Sequence, residues 1–125
     1  DETIDFIVSD HRPSVKEEKE LEFEHASFGS PQLRTVYSAL NTRNKITLGE
    51  LIEILSTRPR IYLGLKQATI KEGNSADLTI FDPEKDFEYN INTKKEEKIY
   101  SPFQNENMKG EIIGIVNKNQ LLLNE

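Results

Sequence analysis

The stretch from Thr47 to Asp82 limits the fold most, because a helix start, a proline, a glycine stop and an alternating strand follow one another there with almost no slack. Thr47 and Glu50 stand three apart at the head of an apolar period, which is the capping-box arrangement: the hydroxyl accepts a free first-turn N–H and the carboxylate reaches back. Leu48, Leu51, Ile52 and Leu55 recur at helical spacing and make one apolar stripe. Arg58 precedes Pro59, which biases it away from helical geometry, while the proline suits the first turn of a second helix. Ile61, Tyr62 and Leu63 fill that short helix, Gly64 stops it in the left-handed conformation, and Leu65 folds back as the hydrophobic partner of the stop. After a polar loop with Gly73, residues Ala76, Leu78 and Ile80 alternate with Asp77, Thr79 and Phe81, so a strand with one buried face is expected.

The 125 residues suffice for one domain. Their apolar fraction of 35% predicts a thin core, since globular chains usually reach about 45–50% with glycine included. Sixteen basic and 22 acidic residues leave a net charge of −6, spread without a basic block, which argues against nucleic acid or an anionic membrane as partner. No apolar run approaches the ~20 residues of a membrane span, and no signal-peptide pattern opens the chain. The absence of Cys excludes disulfides and thiol chemistry and suits a cytoplasmic protein. Opening at Asp1 without an initiator Met, the chain is expected to be the tail of something longer or one piece of a split polypeptide.

In chain order, Ile4 to Val8 is a nearly continuous apolar run, as in a strand covered on both faces. Ser9, Asp10, His11, Arg12 and Pro13 follow it. Polar residues at the C-terminal end of such a strand sit where barrel enzymes place their chemistry, and they equally make an ordinary loop, Asp capping the next segment and Pro shaping the bend. Val15 to Glu24 is a charge run around Leu21 and Phe23, expected as a solvated loop or helical face. His25 reads as a surface histidine. Gly29 permits close approach of backbone to a ligand and equally a plain turn before Pro31. Ser30 as cap and Pro31 as first residue open a helix with Leu33, Val36, Tyr37 and Leu40 as its apolar stripe. Asn41 to Lys45 is a polar break. After Pro83, a turn at Glu84 to Asp86 precedes a half-buried strand with Phe87, Tyr89 and Ile91. Lys94 to Lys98 is a charged loop, with Pro102 and Phe103 as the next anchor. Ile112, Ile113, Ile115 and Val116 form a buried strand, Asn117 to Gln120 a hairpin turn, and Leu121 to Leu123 the return.

Taken together, Ser56, Arg58, Pro59, Leu63, Gly64, Leu65, Thr69, Ile70, Gly73, Ala76, Asp77, Leu78 and Asp82 resemble the C-terminal signature of the amidohydrolase superfamily, most closely that of dihydroorotases. Ile7 to Pro13 resembles the dihydroorotase motif at the end of the eighth barrel strand. Ala26 to Gly29 resembles the family's Pro-Phe-Gly turn with Ser27 for Pro, and Ser101, Pro102, Phe103 its Ser/Thr-Pro-Phe turn. The resemblance implies an α/β fold: the last strand, loop and terminal helices of a (β/α)₈ barrel over residues 1–65, and strands of a small β-sandwich over residues 66–125. If the chain folds alone, the class is α+β. A whole barrel takes roughly 250 residues, so 125 are at most half of one.

The same resemblance makes Asp10 the catalytic aspartate, which in the family binds the more buried zinc and acts as general acid and base. It makes Phe28 and Gly29 the substrate turn and offers Arg12 as a positive charge for the substrate carboxylate. Two departures stand out. Arg12 and Ser14 occupy the Ala and second-His positions of the family's Asp-His-Ala-Pro-His. The His-x-His pair, the bridging lysine and two further histidines are absent, leaving only His11 and His25. Zinc is thus expected for the complete family enzyme and none for this segment alone. The implied activity is interconversion of N-carbamoyl-aspartate and dihydroorotate in pyrimidine biosynthesis, with the isolated segment inactive. The alternative is a non-catalytic scaffold subunit partnering aspartate transcarbamoylase, and a weaker third reading is a proteolytic remnant. Asp10 favours the enzyme and Ser14 the scaffold. The missing N-terminal part of the barrel, a partner chain or a second copy is expected over the exposed barrel face.

Overall fold

Thr47 opens α3 (Leu48–Ile52) as a complete capping box: its hydroxyl accepts the Glu50 N–H at 3.3 Å, and the Glu50 carboxylate accepts the Thr47 N–H at 2.8 Å. The computed structural model describes residues 3–43, 45–91, 99–118 and 120–124. Their order is α1 (Lys16–Lys19), α2 (Val36–Arg43), α3, a π-helical turn (Glu53–Thr57), α4 (Arg58–Tyr62), β1 (Leu78–Glu88), β2 (Asn107–Asn117) and β3 (Gln120–Leu123).

The expected break before Pro59 does not occur. Arg58 is helical at φ −64° and ψ −44°, and its N–H reaches back to the Glu53 carbonyl. That bond spans five residues. The wider turn makes room where the proline ring would meet the carbonyl of Leu55 in a straight α-helix, so the rod continues through the proline. It ends as expected in a Schellman motif. Gly64 has φ +65°, its N–H bonds to the Ile61 carbonyl at 3.1 Å, and the Leu65 N–H bonds to the Arg60 carbonyl at 2.8 Å. Leu51 is fully buried, whereas Leu48, Ile52 and Leu65 are exposed.

The sheet is antiparallel in the order β1-β2-β3. β1 runs on through the expected turn at Glu84 to Asp86 and ends at Glu88, so of the expected second strand Phe87 lies within it while Tyr89 and Ile91 follow its end. Two irregularities explain why the alternation misleads. A register shift after Ile80 leaves Ile80 exposed and turns Phe81 inward. A second lies between the pairs Asp82–Glu111 and Asp86–Lys109, where Pro83, Glu84 and Lys85 together oppose Gly110. Pro83, which has no N–H to donate to a ladder, sits in that bulge. The Glu84 N–H turns to the Asp82 carboxylate at 3.0 Å. β2 begins earlier than expected, and Ile113 and Ile115 are exposed rather than buried. The 117–120 hairpin forms as expected, with Lys118 at φ +47°.

α2 docks on this bulge by its polar face. Ser38 Oγ donates to the Gly110 carbonyl at 2.6 Å, and Asn41 Nδ2 donates to the carbonyls of Pro83 at 2.9 Å and Lys109 at 3.1 Å. The Lys109 N–H donates to Thr42 Oγ1 at 2.7 Å. Thr35 and Ser38 are buried while Leu33, expected in the apolar stripe, is 66% exposed. The Tyr37 ring meets Phe81 edge-on at 4.9 Å. Its hydroxyl is buried without a hydrogen-bond partner among the described residues. Burial first, then the charges of Glu84 and Asp82, push its pKa up. The core beside this dock is small: Tyr89, Ile91 and Met108, with Ala39, Phe87, Ile99 and Phe103 against them. Ser101 Oγ accepts the Phe103 N–H at 3.2 Å, and the Arg43 guanidinium lies 5.5 Å from the Phe103 ring centre.

The segment Ile4 to Val8 is extended but not a strand, with Ile4 and Val8 exposed. A strand covered on both faces needs neighbours, and among the described residues the segment's backbone pairing is the Ile7 N–H to the Ile54 carbonyl at 3.1 Å. The total accessible surface is 9924 Å², against roughly 6,800 Å² for a compact monomer of this mass. The charged loop expected at Lys94 to Lys98 lies outside the described residues.

Two outcomes follow from these contacts. A Cβ on Gly110, at φ +97°, would lie 2.8 Å from Tyr37 Cε1 and 2.9 Å from Asn41 Nδ2. Gly110→Ala is therefore expected to cost about 2–5 kcal/mol in chemical denaturation. The Thr47 hydroxyl, then the Thr47 N–H, hold the Glu50 carboxyl below its ordinary 4.5. A lowered folded pKa gives stability that is present above the unfolded value and lost as pH falls through the folded one. The stability gap between wild type and Glu50→Ala, measured from neutral pH downward, should hold to about 4.5 and close below it.

Candidate functional site

Asp10 sits at the bend that follows the extended 4–8 segment, at φ +41°, a left-handed conformation that Asp tolerates better than most residues. Its Oδ1 accepts from Arg12 Nε at 3.1 Å, and both side chains are largely exposed. Such a pair is worth about 0–1 kcal/mol.

His11 has a structural task. Its Nδ1 accepts the N–H groups of Gln32 at 3.0 Å and Leu33 at 3.2 Å. These are orphan donors of the turn that leads into α2, whose first bond joins the Val36 N–H to the Gln32 carbonyl. The imidazole, not Ser30, is the cap. Ser30 Oγ instead accepts from Gln32 Nε2 at 2.6 Å. Two donors on Nδ1 require the lone pair there and the proton on Nε2.

A parallel bridge joins His11 to Ser30, and the Arg12 N–H bonds to the Ser30 carbonyl at 3.0 Å. This brings residues 10–12 against the 27–30 turn. Gly29, at φ +92°, lies so close to Arg12 that a Cβ there would be 2.5 Å from Arg12 Cβ. Asp10, Arg12 and Gly29 are thus assembled at one place, and the Phe28 side chain, 85% exposed, projects from the same turn into solvent. Lys19 of α1 donates to the carbonyls of both Ser27 and Gly29. No pattern in the charge run distinguishes Lys19 from its neighbours. The remainder of that run is exposed as expected, and so is His25. The Ser14 carbonyl accepts the Tyr100 N–H at 3.2 Å, next to a bridge between Val15 and Ile99.

The donor set around Asp10 does not make a zinc centre. Zinc takes three or four ligands, whereas His11 spends Nδ1 on the backbone and, among the described residues, no three His, Asp or Glu side chains converge. A groove of about 550 Å³ runs between α3–α4 and the 66–81 segment, lined by Arg60, Lys66, Asn74 and Phe81 among others. None of Asp10, Arg12, Phe28 and Gly29 lines it.

Comparison with known proteins places these features in a family. The model of the Amidohydrolase family matches residues 1–121. The chain belongs to the amidohydrolase family. It is 35% identical to the dihydroorotase of Chlorobaculum tepidum over 98% of this chain and 29% of that protein. It is 37% identical to the dihydroorotase of Elusimicrobium minutum over 90% of this chain and 27% of that protein. The chain therefore spans less than a third of the length of these curated relatives. A solved D-hydantoinase from a Bacillus sp. AR9 superposes with a TM-score of 0.74 at 24% identity, over 94% of this chain and 28% of that one. The amidohydrolase fold expected from the sequence agrees with that likeness. No helix of the described residues is long and apolar enough to cross a membrane.

Removing the imidazole cap gives a direct check on His11. His11→Ala should cost about 0.5–2 kcal/mol in chemical denaturation and speed amide exchange at Gln32 and Leu33.

Proposed function

We propose that this chain is the C-terminal portion of a dihydroorotase-like cyclic amidohydrolase, which interconverts N-carbamoyl-aspartate and dihydroorotate in pyrimidine biosynthesis. The observation that carries the reading is 35% identity to a curated dihydroorotase across nearly the whole chain. Residues 1–65 are the end of its barrel and residues 66–125 part of its small β-sandwich.

In this reading Asp10 is the general acid and base. Its carboxylate takes the proton of the oxygen nucleophile as that oxygen attacks the ring amide carbon. It then gives the proton to the ring nitrogen as the C–N bond breaks, so one carboxyl serves both transfers. Arg12 serves the substrate carboxylate. Its bond to Asp10 joins two exposed groups, and a weak pair of that kind yields readily to a bound anion. Phe28 and Gly29 form the turn against the substrate. Zinc, which such enzymes use, would rest on Asp10 and mainly on ligands outside these residues, and the segment alone is inactive. The surplus surface favours cover by the rest of a barrel, a partner chain or a second copy, in a cytoplasmic assembly.

A second reading, a non-catalytic subunit serving as scaffold for a partner such as aspartate transcarbamoylase, draws on the same positions. Arg12 and Ser14 stand where the resembling motif has Ala and His, and the Ser14 carbonyl is engaged by Tyr100.

Asp10→Asn separates the two readings in the protein made from its whole gene. Turnover of dihydroorotate should fall by about 10²–10⁴-fold with the melting temperature unchanged, and wild-type turnover in that variant would remove Asp10 from the mechanism. Native mass spectrometry of the same preparation should show a zinc-bearing assembly. A wild-type protein without turnover, purified free of metal, would favour the scaffold.

A further inference from the structure

Lys19 is half-buried, although Glu17, Glu18 and Glu20 beside it are exposed. Its ε-ammonium donates at once to the carbonyls of Ser27 and Gly29. From the preceding residue, the Glu18 carbonyl accepts the Ser27 N–H at 3.0 Å. Two consecutive residues of α1 therefore hold three backbone groups of one turn. On its other side the turn meets residue 12, whose N–H holds the Ser30 carbonyl at 3.0 Å and whose stem fills the space beside Gly29.

Peptide geometry gives this clamp a direction. The carbonyl and N–H of a trans peptide point opposite ways, and no peptide bond of the chain is cis. With the Ser27 carbonyl turned to Lys19, the Phe28 N–H points away from α1. No acceptor among the described residues takes it. The turn is pinned from two sides, and the Phe28 N–H is among the donors left over. An ammonium has three donors, and Lys19 directs two of them at carbonyls of this one loop.

We infer that Lys19 is a positioning residue that fixes the 27–29 turn, so that the Phe28 N–H is presented to an anionic cyclic amide. The inference rests on the proposed role of Phe28 and Gly29 as the substrate turn. Lys19 does not itself meet the substrate, since its charge is directed at the two carbonyls. It acts on binding through the backbone, whereas Arg12 acts through its own charge.

The test uses the protein made from its whole gene, with Lys19→Met and Lys19→Arg. Met keeps the stem and removes the donors, and Arg restores them. Hydrogen exchange reads the clamp without any turnover: Lys19→Met should speed exchange across 27–30 and leave α2 and the sheet unchanged. Unchanged exchange at 27–30, or faster exchange everywhere, overturns the clamp. Steady-state kinetics with dihydroorotate read its purpose. Lys19→Met should raise KM about tenfold, the scale of one lost hydrogen bond, with kcat little changed and Lys19→Arg recovering most of the loss. A wild-type KM in Lys19→Met, or no recovery by Arg, overturns the positioning role. If the wild-type protein itself does not turn over dihydroorotate, the dihydroorotase-like reading fails, and the exchange experiment still decides the clamp.

Discussion

The backbone at Gly110 is the point on which the described fold turns. Three residues of β1 oppose this one residue of β2, and the space left by the missing side chain admits the face of α2 carrying Tyr37 and Asn41. The helix then satisfies carbonyls that a bulged ladder leaves open. Ser38 and Asn41 donate to Gly110, Pro83 and Lys109, and Thr42 accepts from the Lys109 N–H. A buried polar group costs far more unpaired than it returns when paired, so this seam tolerates little displacement. Cross-strand pairs flank it: Lys85 with Glu111 and Lys109 with Glu84, each carboxylate raising the pKa of its lysine.

The small core follows from that dock. Tyr89, Ile91 and Met108 close under Ala39, Phe87, Ile99 and Phe103, while much of the apolar surface elsewhere stays in solvent. Val15, Ile61, Leu63, Ile70 and all three leucines of β3 are exposed. An edge strand with that composition is a template for pairing unless something covers it. Exposed apolar surface on this scale belongs to interfaces. The relatives are more than three times as long as the part matched here.

The candidate site is held by different forces. Residues 10–12 and 27–33 meet through one backbone bridge, one imidazole cap and the stem of Arg12 against Gly29. Most of these groups are exposed. Solvent competes with each bond, so the geometry relies on several weak constraints acting together. Asp10, in the left-handed region beside a charged neighbour, is largely exposed and belongs to no cluster of three metal-binding side chains among the described residues.

Much of the local structure was legible from residue order. The Thr47–Glu50 box, the Gly64 stop and the 117–120 hairpin each depend on side chains within a few positions of one another. The motif around Asp10 and the signature from Ser56 to Asp82 were equally readable, and they identify the family. Features that depend on distant partners were not readable. The 4–8 run is apolar enough for a buried strand but lacks flanking strands among the described residues. The docking face of α2 is polar because its partners are carbonyls 42 to 72 positions away, and no periodicity count reports that. The helix passes through Pro59 because a π turn relieves the clash. His11 caps a turn 21 residues on, and Lys19 reaches two carbonyls across a loop. Sequence determined what neighbouring residues settle among themselves. Tertiary structure decided which polar groups found partners, because that depends on which carbonyls and N–H groups the folded chain leaves unpaired within reach.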